Sequence, residues 1–356
     1  MRTGTARRGL VGLWAVAVAL LVSACGGAGG AGSAQNAGEG EGGAVTLRLG
    51  YFPNLTHATA IVGVANGLFT ESLGPDVALA TSTFNAGPQA VEALFSNAID
   101  ATFIGPNPAI NAFAQSGGEA IRIVAGATSG GAFLVVRPGI DTPEALRGTR
   151  LSSPQLGNTQ DVALRAWLAA QGLRTDLQGG GDASILPQEN AQILETFRAG
   201  DIDGAWVPEP WATRLINEGG GHVLVDEADL WPGGQYVTTH LVVRTEFLAE
   251  HPDVVQRLLR GHLTATDFVN EQPEEAKTIV NDALETLTGR RLADTTIDTA
   301  WDHLEFTVDP ISASLRKSAD DAMSLGLLDP VDLAGIYDLT LINEVLAQAG
   351  RPQVTS

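Results

Sequence analysis

The chain has 356 residues, of which 21 are lysine or arginine and 41 are aspartate or glutamate, so its formal net charge is −20. This acidity disfavours binding to the phosphate backbone of nucleic acids. A hydrophobic content of 44% excludes a disordered chain, and the length suffices for two domains or for one domain with two lobes. The single cysteine excludes a disulfide scaffold and a zinc site with several cysteine ligands.

The N-terminus has the layout of an export signal. Three of the first eight residues are arginine, and the apolar stretch 10–22 that follows is too short to span a bilayer well. The segment Val22-Ser23-Ala24-Cys25 resembles a bacterial lipobox, in which cleavage leaves the cysteine lipidated at the new N-terminus. We therefore predict a signal peptide over residues 1–24 and a lipid anchor on Cys25, with the general and the twin-arginine export routes both open. Cleavage removes three arginines and no acid, which changes the net charge from −20 to −23.

The next segment is rich in glycine. Nine of the eighteen residues 26–43 are glycine, a composition that cannot pack and that is typical of a flexible tether. We therefore predict that residues 25–43 form the lipidated cysteine and its tether, and that the folded part begins at residue 44.

From residue 44 onward, short strands alternate with helices, which indicates an α/β fold with largely parallel sheets. The pattern predicts strands at 45–49, 76–80, 101–104, 121–125, 133–136, 149–152, 184–186, 204–207, 223–225 and 236–243. It predicts helices at 58–68, 88–95, 108–114, 159–170, 191–199 and 211–217, and an almost entirely helical chain from 245 to about 349.

Two such α/β units, followed by a helical third, predict two lobes joined by two crossover strands near 133–137 and 239–243. We expect residues 44–134 and 241–356 to form the first lobe and residues 135–240 to form the second. A cleft between two lobes is a common place for a ligand.

Catalytic motifs are absent from the sequence. The six histidines lack metal-ligand spacing such as H-E-x-x-H, and the chain has neither a G-x-S-x-G nucleophile motif nor a phosphate-binding P-loop. We therefore predict that the protein is not an enzyme and that it needs no metal and no cofactor.

Five polar or glycine-rich segments follow predicted strands, at the edge where open α/β sheets bind ligands. Helix capping or core packing is the alternative interpretation for four of the segments. For the third segment, which contains Ser129, the alternative is a plain flexible turn. The candidate ligand-binding residues are Asn54 and His57 in the first segment, Asn107 in the second, Ser129 in the third, Gln155, Gly157, Asn158 and Thr159 in the fourth, and Trp206 and Glu209 in the fifth.

The fourth segment is the most informative, because it leads from a strand into a long helix. The free N–H groups of a helix N-terminus, together with the small Gly157, can bind an anion without any basic side chain. In the fifth segment, Trp206 is expected to form an apolar wall, and Glu209 is expected to accept a hydrogen bond, either in a lobe-closing contact or from an ammonium group.

Four stretches together resemble the extracytoplasmic substrate-binding proteins of ABC importers in the nitrate/sulfonate/taurine group, above all those that bind aliphatic sulfonates. They are LRLGYFPNLTHATAIVGVANGLF (47–69), IDATFIGPNPAINAF (99–113), LVVRPGIDTPEALRGTRLSSPQLGNTQDVALRAWL (134–168) and DIDGAWVPEPWATRL (201–215). The resemblance implies a type II periplasmic-binding-protein fold that closes on its ligand by hinge bending. It also implies a monomeric lipoprotein outside the membrane that delivers an aliphatic sulfonate to a permease and its ATPase, with the ten residues above in its cleft.

Other ligands and functions remain open. Taurine, nitrate and a thiamine-pyrimidine precursor are alternative ligands, although nitrate binders of this group use a cleft lysine and the only two lysines here, Lys277 and Lys317, lie in the helical tail. An enzyme of the same fold, or a lipoprotein acting as a sensor or adhesin, would be a different class of function.

Overall fold

The computed structural model describes residues 45–356. The predicted signal peptide, the lipid anchor on Cys25 and the tether up to residue 43 lie outside the described residues. Within residues 45–356, every helix is too short or too polar to cross a membrane.

Six strands form the sheet of the first lobe. They are β1 (Val45–Tyr51), β2 (Val77–Thr83), β3 (Ala101–Ile104), β4 (Ile121–Gly130), β10 (Val237–Arg244) and β11 (Leu304–Phe306), in the order β11-β4-β10-β3-β1-β2. The helices of this lobe before the chain leaves it are α1 (Ala58–Ala65), α2 (Leu68–Leu73), α3 (Gly87–Phe95) and α4 (Pro106–Gln115). After the chain returns, they are α8 (Thr245–Glu250), α9 (Pro252–Glu271), α10 (Pro273–Thr288), α11 (Asp294–Trp301), α12 (Ser312–Ser324) and α13 (Thr340–Gln348).

Five strands form the sheet of the second lobe. They are β5 (Ala132–Val136), β6 (Arg150–Pro154), β7 (Ser184–Gln188), β8 (Gly204–Pro208) and β9 (His222–Asp226), in the order β7-β6-β8-β5-β9. The helices of this lobe are α5 (Thr159–Ala170), α6 (Asn190–Ala199) and α7 (Trp211–Asn217).

Each sheet is covered on both faces, and the alternation of side chains along its strands explains why. In β10, Leu241 packs with the cluster under α9 and α10, whereas the next residue, Val242, packs with the cluster under α3, α4 and α12. In β5, Leu134 and Phe133 divide between two clusters in the same way. Successive side chains of a strand point to opposite faces, so a strand covered on both faces can be apolar at neighbouring positions, as β5 is throughout.

The predicted α/β fold with two lobes is confirmed, but the expectation of largely parallel sheets is wrong. Four strand pairings are parallel and five are antiparallel. The antiparallel pairings all involve β5, β10 or β11, the strands next to the crossings or in the tail. A strand that enters a sheet from the other lobe comes in from the opposite end, and β10 therefore runs antiparallel to β3.

The chain passes between the two sheets at 130–132 and again between residues 226 and 237. Gly130 and Gly131 both have a positive φ, and a Cβ on Gly130 would lie 2.7 Å from the carbonyl oxygen of His303. Only glycine fits this passage, because other residues would be strained and would collide. The predicted boundaries at 134/135 and 240/241 cut through β5 and β10, each of which lies in one sheet. We therefore propose lobe boundaries a few residues earlier, at these two passages.

The predicted helix over 58–68 corresponds to α1, which ends at Ala65. Gly67, which follows it, has a φ of 71°, in the left-handed region that ends helices. The predicted end at 68 is three residues late, and the chain enters the short helix α2 there, which the sequence pattern does not predict.

Candidate ligand-binding site

A small cavity of about 30 Å³, lined mostly by buried residues, lies between the two sheets and is lined by both lobes. Its walls are mostly polar, and none of its lining residues is lysine, arginine, aspartate or glutamate. They are Phe52, Asn54, Thr56, His57, Asn85, Ala86, Gly105, Thr238 and Thr239 from the first lobe, and Asn158, Thr159, Gln160, Asn190 and Pro208 from the second.

Four helices begin at the walls of this cavity. Ala86 caps α3, Gly105 caps α4, Asn158 caps α5, and Asn190 is the first residue of α6. The first N–H groups of a helix have no partner within the helix, and together with the helix dipole they place partial positive charge at its N-terminus. The cavity is therefore electropositive, although no basic side chain lines it.

Three buried polar atoms at the cavity have no hydrogen-bond partner among the described residues. They are Oγ1 of Thr159, Oγ1 of Thr239 and Oδ1 of Asn190, and each side chain is at most 7% exposed. An unsatisfied buried polar group costs about 1–3 kcal/mol of stability. The two threonine hydroxyls can donate to a bound ligand, whereas Oδ1 of Asn190 accepts a hydrogen bond and would need a donor.

His57 contributes a hydrogen-bond donor without a charge. Its Nδ1 accepts the N–H of Phe52 at 3.3 Å, and its ring stacks on the ring of Phe52 at 4.5 Å. Burial lowers the pKa of His57 to about 3, so the imidazole is neutral at physiological pH. Because Nδ1 is the acceptor, the proton resides on Nε2, which can donate to a group in the cavity.

Two hydrogen bonds close the rim of the cavity by linking the lobes. The indole Nε1–H of Trp211 donates to Oδ1 of Asn54 at 2.8 Å, and the amide of Asn85 donates to Oε1 of Glu189 at 3.2 Å. The hydrogen bond from Trp211 fixes the orientation of the Asn54 amide, so its NH₂ group can donate to a ligand.

The lobes also approach closely at Gly105. A Cβ on Gly105 would lie 2.5 Å from Oγ1 of Thr159 in the opposite lobe, much closer than van der Waals contact allows. The missing side chain therefore lets the N-termini of α4 and α5 meet at one cavity.

The structure places four of the ten predicted site residues at this cavity: Asn54, His57, Asn158 and Thr159. Gln155 and Gly157 lie in the loop just before α5, both with a positive φ, and the N–H of Gly157 donates to Asp161 at 2.9 Å. These two residues shape the loop and do not line the cavity.

The other four predicted residues have structural contacts elsewhere. Asn107 donates to the carbonyl oxygen of Ser318 in α12, and Ser129 lies in β4, paired with β10 and β11. The prediction that Trp206 forms a wall of the cleft is not met, because its indole is fully buried in the core of the second lobe. There it packs on Trp167 and donates to Glu227 at 2.7 Å.

Glu209 makes the lobe-closing contact that was one of its two predicted roles. Its Oε1 lies 2.7 Å from Nδ1 of His303 in the first lobe and accepts the hydroxyl of Thr213 at 2.8 Å. The hydrogen bond to Glu209 raises the pKa of His303, which favours the charged pair. With both oxygens engaged by these partners and by the N–H of Thr213, Glu209 is not available for an ammonium group.

Several cavity residues were missed by sequence reasoning. Asn85 and Asn190 follow β2 and β7 just as Asn54 follows β1, so the rule that ligands bind after strands would have found them. Thr239 lies inside β10, and the sequence carries no local signal that its hydroxyl faces a cavity. Among the described residues, no cluster of three potential metal ligands exists.

Comparisons with known proteins agree with this geometry. A family model described as the NMT1-like family matches residues 40–283. The taurine-binding periplasmic protein of Escherichia coli is 29% identical over 182 residues, which cover 51% of this chain and 54% of that protein. Among solved structures, the alkanesulfonate-binding protein SsuA from Xanthomonas axonopodis, bound to MOPS, has a TM-score of 0.66 at 20% identity and covers 80% of this chain and 95% of its own.

The periplasmic nitrate-binding protein NrtA from Synechocystis has a TM-score of 0.69 at 17% identity. The match covers 86% of this chain and 90% of the NrtA chain. The predicted resemblance to binding proteins of import systems is thereby confirmed. These relatives are binding proteins, which also confirms the prediction that the chain is not an enzyme.

Proposed function

Because the chain belongs to the NMT1-like family, we propose that it is an extracytoplasmic receptor that binds a small organic anion, an aliphatic sulfonate, and delivers it to an ABC importer. The observation that carries the proposal is the cavity on which four helix N-termini converge and in which buried hydroxyl groups lack partners. A sulfonate matches such a cavity because its three oxygens accept several hydrogen bonds and its charge is spread over them.

The donors for these oxygens come from both lobes. Asn54, His57 and Thr239 belong to the first lobe, and Thr159 and Gln160 belong to the second. A ligand held by both lobes stabilises their contact, which is the physical basis of closure by hinge bending. In a protein of net charge −20, helix dipoles can retain a single small anion that the overall charge would repel.

The relatives support the class of ligand and leave alternatives to be tested. The Escherichia coli relative binds taurine, and the Synechocystis neighbour binds nitrate. Calorimetry and thermal shift should compare butanesulfonate with taurine, nitrate, sulfate and a pyrimidine precursor of thiamine. We expect butanesulfonate to stabilise the fold by about 2.7 kcal/mol at a hundredfold excess over its Kd. No response to any sulfonate would refute the choice of ligand, though not the role as a receptor.

Replacing Thr239 with valine tests the cavity itself. Removing a hydroxyl that donates to an anion is expected to weaken sulfonate binding by about tenfold or more, because a hydrogen bond to a charged group is worth about 1.5–3 kcal/mol. Stability without ligand should stay the same or rise, since an unsatisfied buried hydroxyl is replaced by a methyl group.

Thr59→Val is the matched control, because Oγ1 of Thr59 in α1 is equally buried and has no partner within residues 45–356, but does not line the cavity. It should leave the affinity unchanged. Equal affinities in Thr239→Val and in the wild type would contradict the assignment of the cavity.

We also propose that the receptor acts as a monomer held at the outer face of the cell membrane by lipidated Cys25, where it meets the permease and its ATPase. The support for the anchor is the lipobox-like segment and the position of the only cysteine in the sequence at its end. Cell fractionation of a Cys25→Ser variant is the test: we expect it to leave the membrane fraction, and retention equal to the wild type would argue against lipidation.

A further inference from the structure

A second, larger space adjoins the small cavity. It has a volume of about 450 Å³ and shares Asn54, Asn85 and Asn190 with the cavity. We call it the vestibule. The same three residues line both spaces, so a ligand whose charged group occupies the cavity would reach the vestibule by displacing the inter-lobe hydrogen bonds of Asn54 and Asn85. The volume lies within the range of 300–1,000 Å³ that is usual for small-molecule pockets.

Eight of the seventeen residues that line the vestibule are apolar, and they come from both lobes. Leu284 and Leu287 lie one turn apart at the end of α10, and Leu287 is 40% exposed. The apolar lining consists of Pro53, Leu284, Leu287 and Leu292 from the first lobe, and Ala191, Leu194, Pro210 and Trp211 from the second.

The charged side chains at the vestibule balance one another. Its lining contains two acids, Glu189 and Glu195, and two arginines, Arg214 and Arg290. The guanidinium of Arg214 lies 4.8 Å from the ring centre of Trp211 and is bonded to Glu218 at 2.6 Å. Arg290 lies 3.9 Å from Glu195. An ammonium group entering the vestibule would therefore find the face of Trp211 already occupied by Arg214. Both acids also have partners already, since Glu189 accepts from Asn85 and Glu195 pairs with Arg198 and Arg290.

From this adjacency and lining, we infer that the vestibule is a subsite for an uncharged apolar tail of several carbons on the anion. The inference rests on the proposed function and narrows it. The cargo would be an alkyl or aryl sulfonate, not taurine with its ammonium group and not an inorganic anion. Specificity for the tail would come from the end of α10 and the start of α7, outside the polar segments that hold the anionic group.

The experiment is a calorimetric series of methane-, butane- and octanesulfonate, with taurine as the charged analogue of short length. Burying one methylene contributes about 0.8 kcal/mol at most, so we expect the affinity to rise about two- to fourfold per carbon. The heat-capacity change of binding should become more negative with tail length. Taurine should bind no more tightly than methanesulfonate.

The Leu287→Ser variant tests whether the apolar tail binds in the vestibule. It should weaken octanesulfonate by about fivefold or more and leave methanesulfonate unchanged, because only the tail reaches α10. Leu177→Ser is the matched control, since this leucine is also 40% exposed but does not line the vestibule.

Equal affinities for methane- and octanesulfonate would overturn the tail subsite while leaving the receptor function standing. Equal losses of octanesulfonate affinity in the Leu287 and Leu177 variants would overturn the assignment of the tail subsite to the vestibule. Binding of none of the sulfonates would overturn both this inference and the proposed ligand.

Discussion

Replacing Asp161 with alanine is expected to lower the free energy of unfolding by about 3–5 kcal/mol, the usual cost of removing one partner of a buried ion pair. Asp161 and Arg165 are at most 1% exposed, and Nε of Arg165 lies 3.1 Å from both carboxylate oxygens. Without Asp161, the arginine charge would remain buried with no counter-charge. Even with Asp161 present, Nη2 of Arg165 has no hydrogen-bond partner among the described residues.

The same substitution is expected to weaken ligand binding, because Asp161 holds the loop before α5. Its Oδ1 accepts the hydroxyl of Ser153 at 2.6 Å, and its Oδ2 accepts the N–H of Gly157 at 2.9 Å. Asn158 and Thr159 follow this loop directly and line the cavity. Once the carboxylate is lost, the N-terminus of α5 is no longer fixed against β6.

Urea denaturation of Asp161→Ala, Arg165→Met and the double variant separates these effects. Replacing both partners removes the uncompensated charge, so the double variant should be more stable than Asp161→Ala alone. Its sulfonate affinity should nevertheless stay low, because the contacts to Ser153 and Gly157 are still missing. A stability loss of less than about 1 kcal/mol in Asp161→Ala would contradict a structural ion pair at this position.

The fold was predictable from the sequence because its signals are local. Alternating strand and helix patterns located nearly every element, and motifs after strands led to Asn54, His57, Asn158 and Thr159. The direction of β5 and β10 was not predictable in this way, because it depends on where the chain crosses between the lobes. A two-residue passage at Gly130 and Gly131 leaves only a weak trace in the sequence.

The roles of the two tryptophans show a second limit. Trp206 and Trp211 stand five residues apart in one motif, and only the geometry separates the buried one from the one at the rim. Trp206 lies on β8 and meets Glu227, which is far along the chain, whereas Trp211 begins α7 and meets Asn54 in the other lobe. Partners so distant in sequence are fixed by tertiary packing, which residue patterns do not encode.

Lowering the pH from 7 to 5 is expected to destabilise the protein by about 3 kcal/mol, which we derive from four buried groups. Burial lowers the pKa of His57 to about 3 and the pKa of His240 and His262 to about 4. In the unfolded chain these histidines titrate near 6.5. Below that pH the unfolded state therefore binds more protons than the folded state does, which shifts the equilibrium toward unfolding. Each histidine contributes about 2 kcal/mol of the loss over this range.

Glu227 opposes the three histidines. Burial raises its pKa to about 7, although the indoles of Trp206 and Trp231 donate to its carboxylate and partly counter this shift. In the folded state it therefore takes up a proton between pH 7 and 4.5, whereas in the unfolded state it stays ionised until near 4.5. This uptake stabilises the fold by about 2 kcal/mol as the pH falls from 7 to 5. The raised pKa of His303 acts in the same direction.

Two variants should change the pH dependence in opposite directions. His262→Gln keeps a donor for the carbonyl oxygen of Gly126, which lies 2.7 Å from Nε2, but it removes one titrating group, so the loss between pH 7 and 5 should shrink by about 2 kcal/mol. Glu227→Gln removes the opposing group, and the loss should grow by a similar amount. The measurement is the free energy of unfolding in urea at pH 7, 6 and 5. The same pH dependence in all three proteins would show that these buried groups titrate equally in the folded and unfolded states, contrary to their burial.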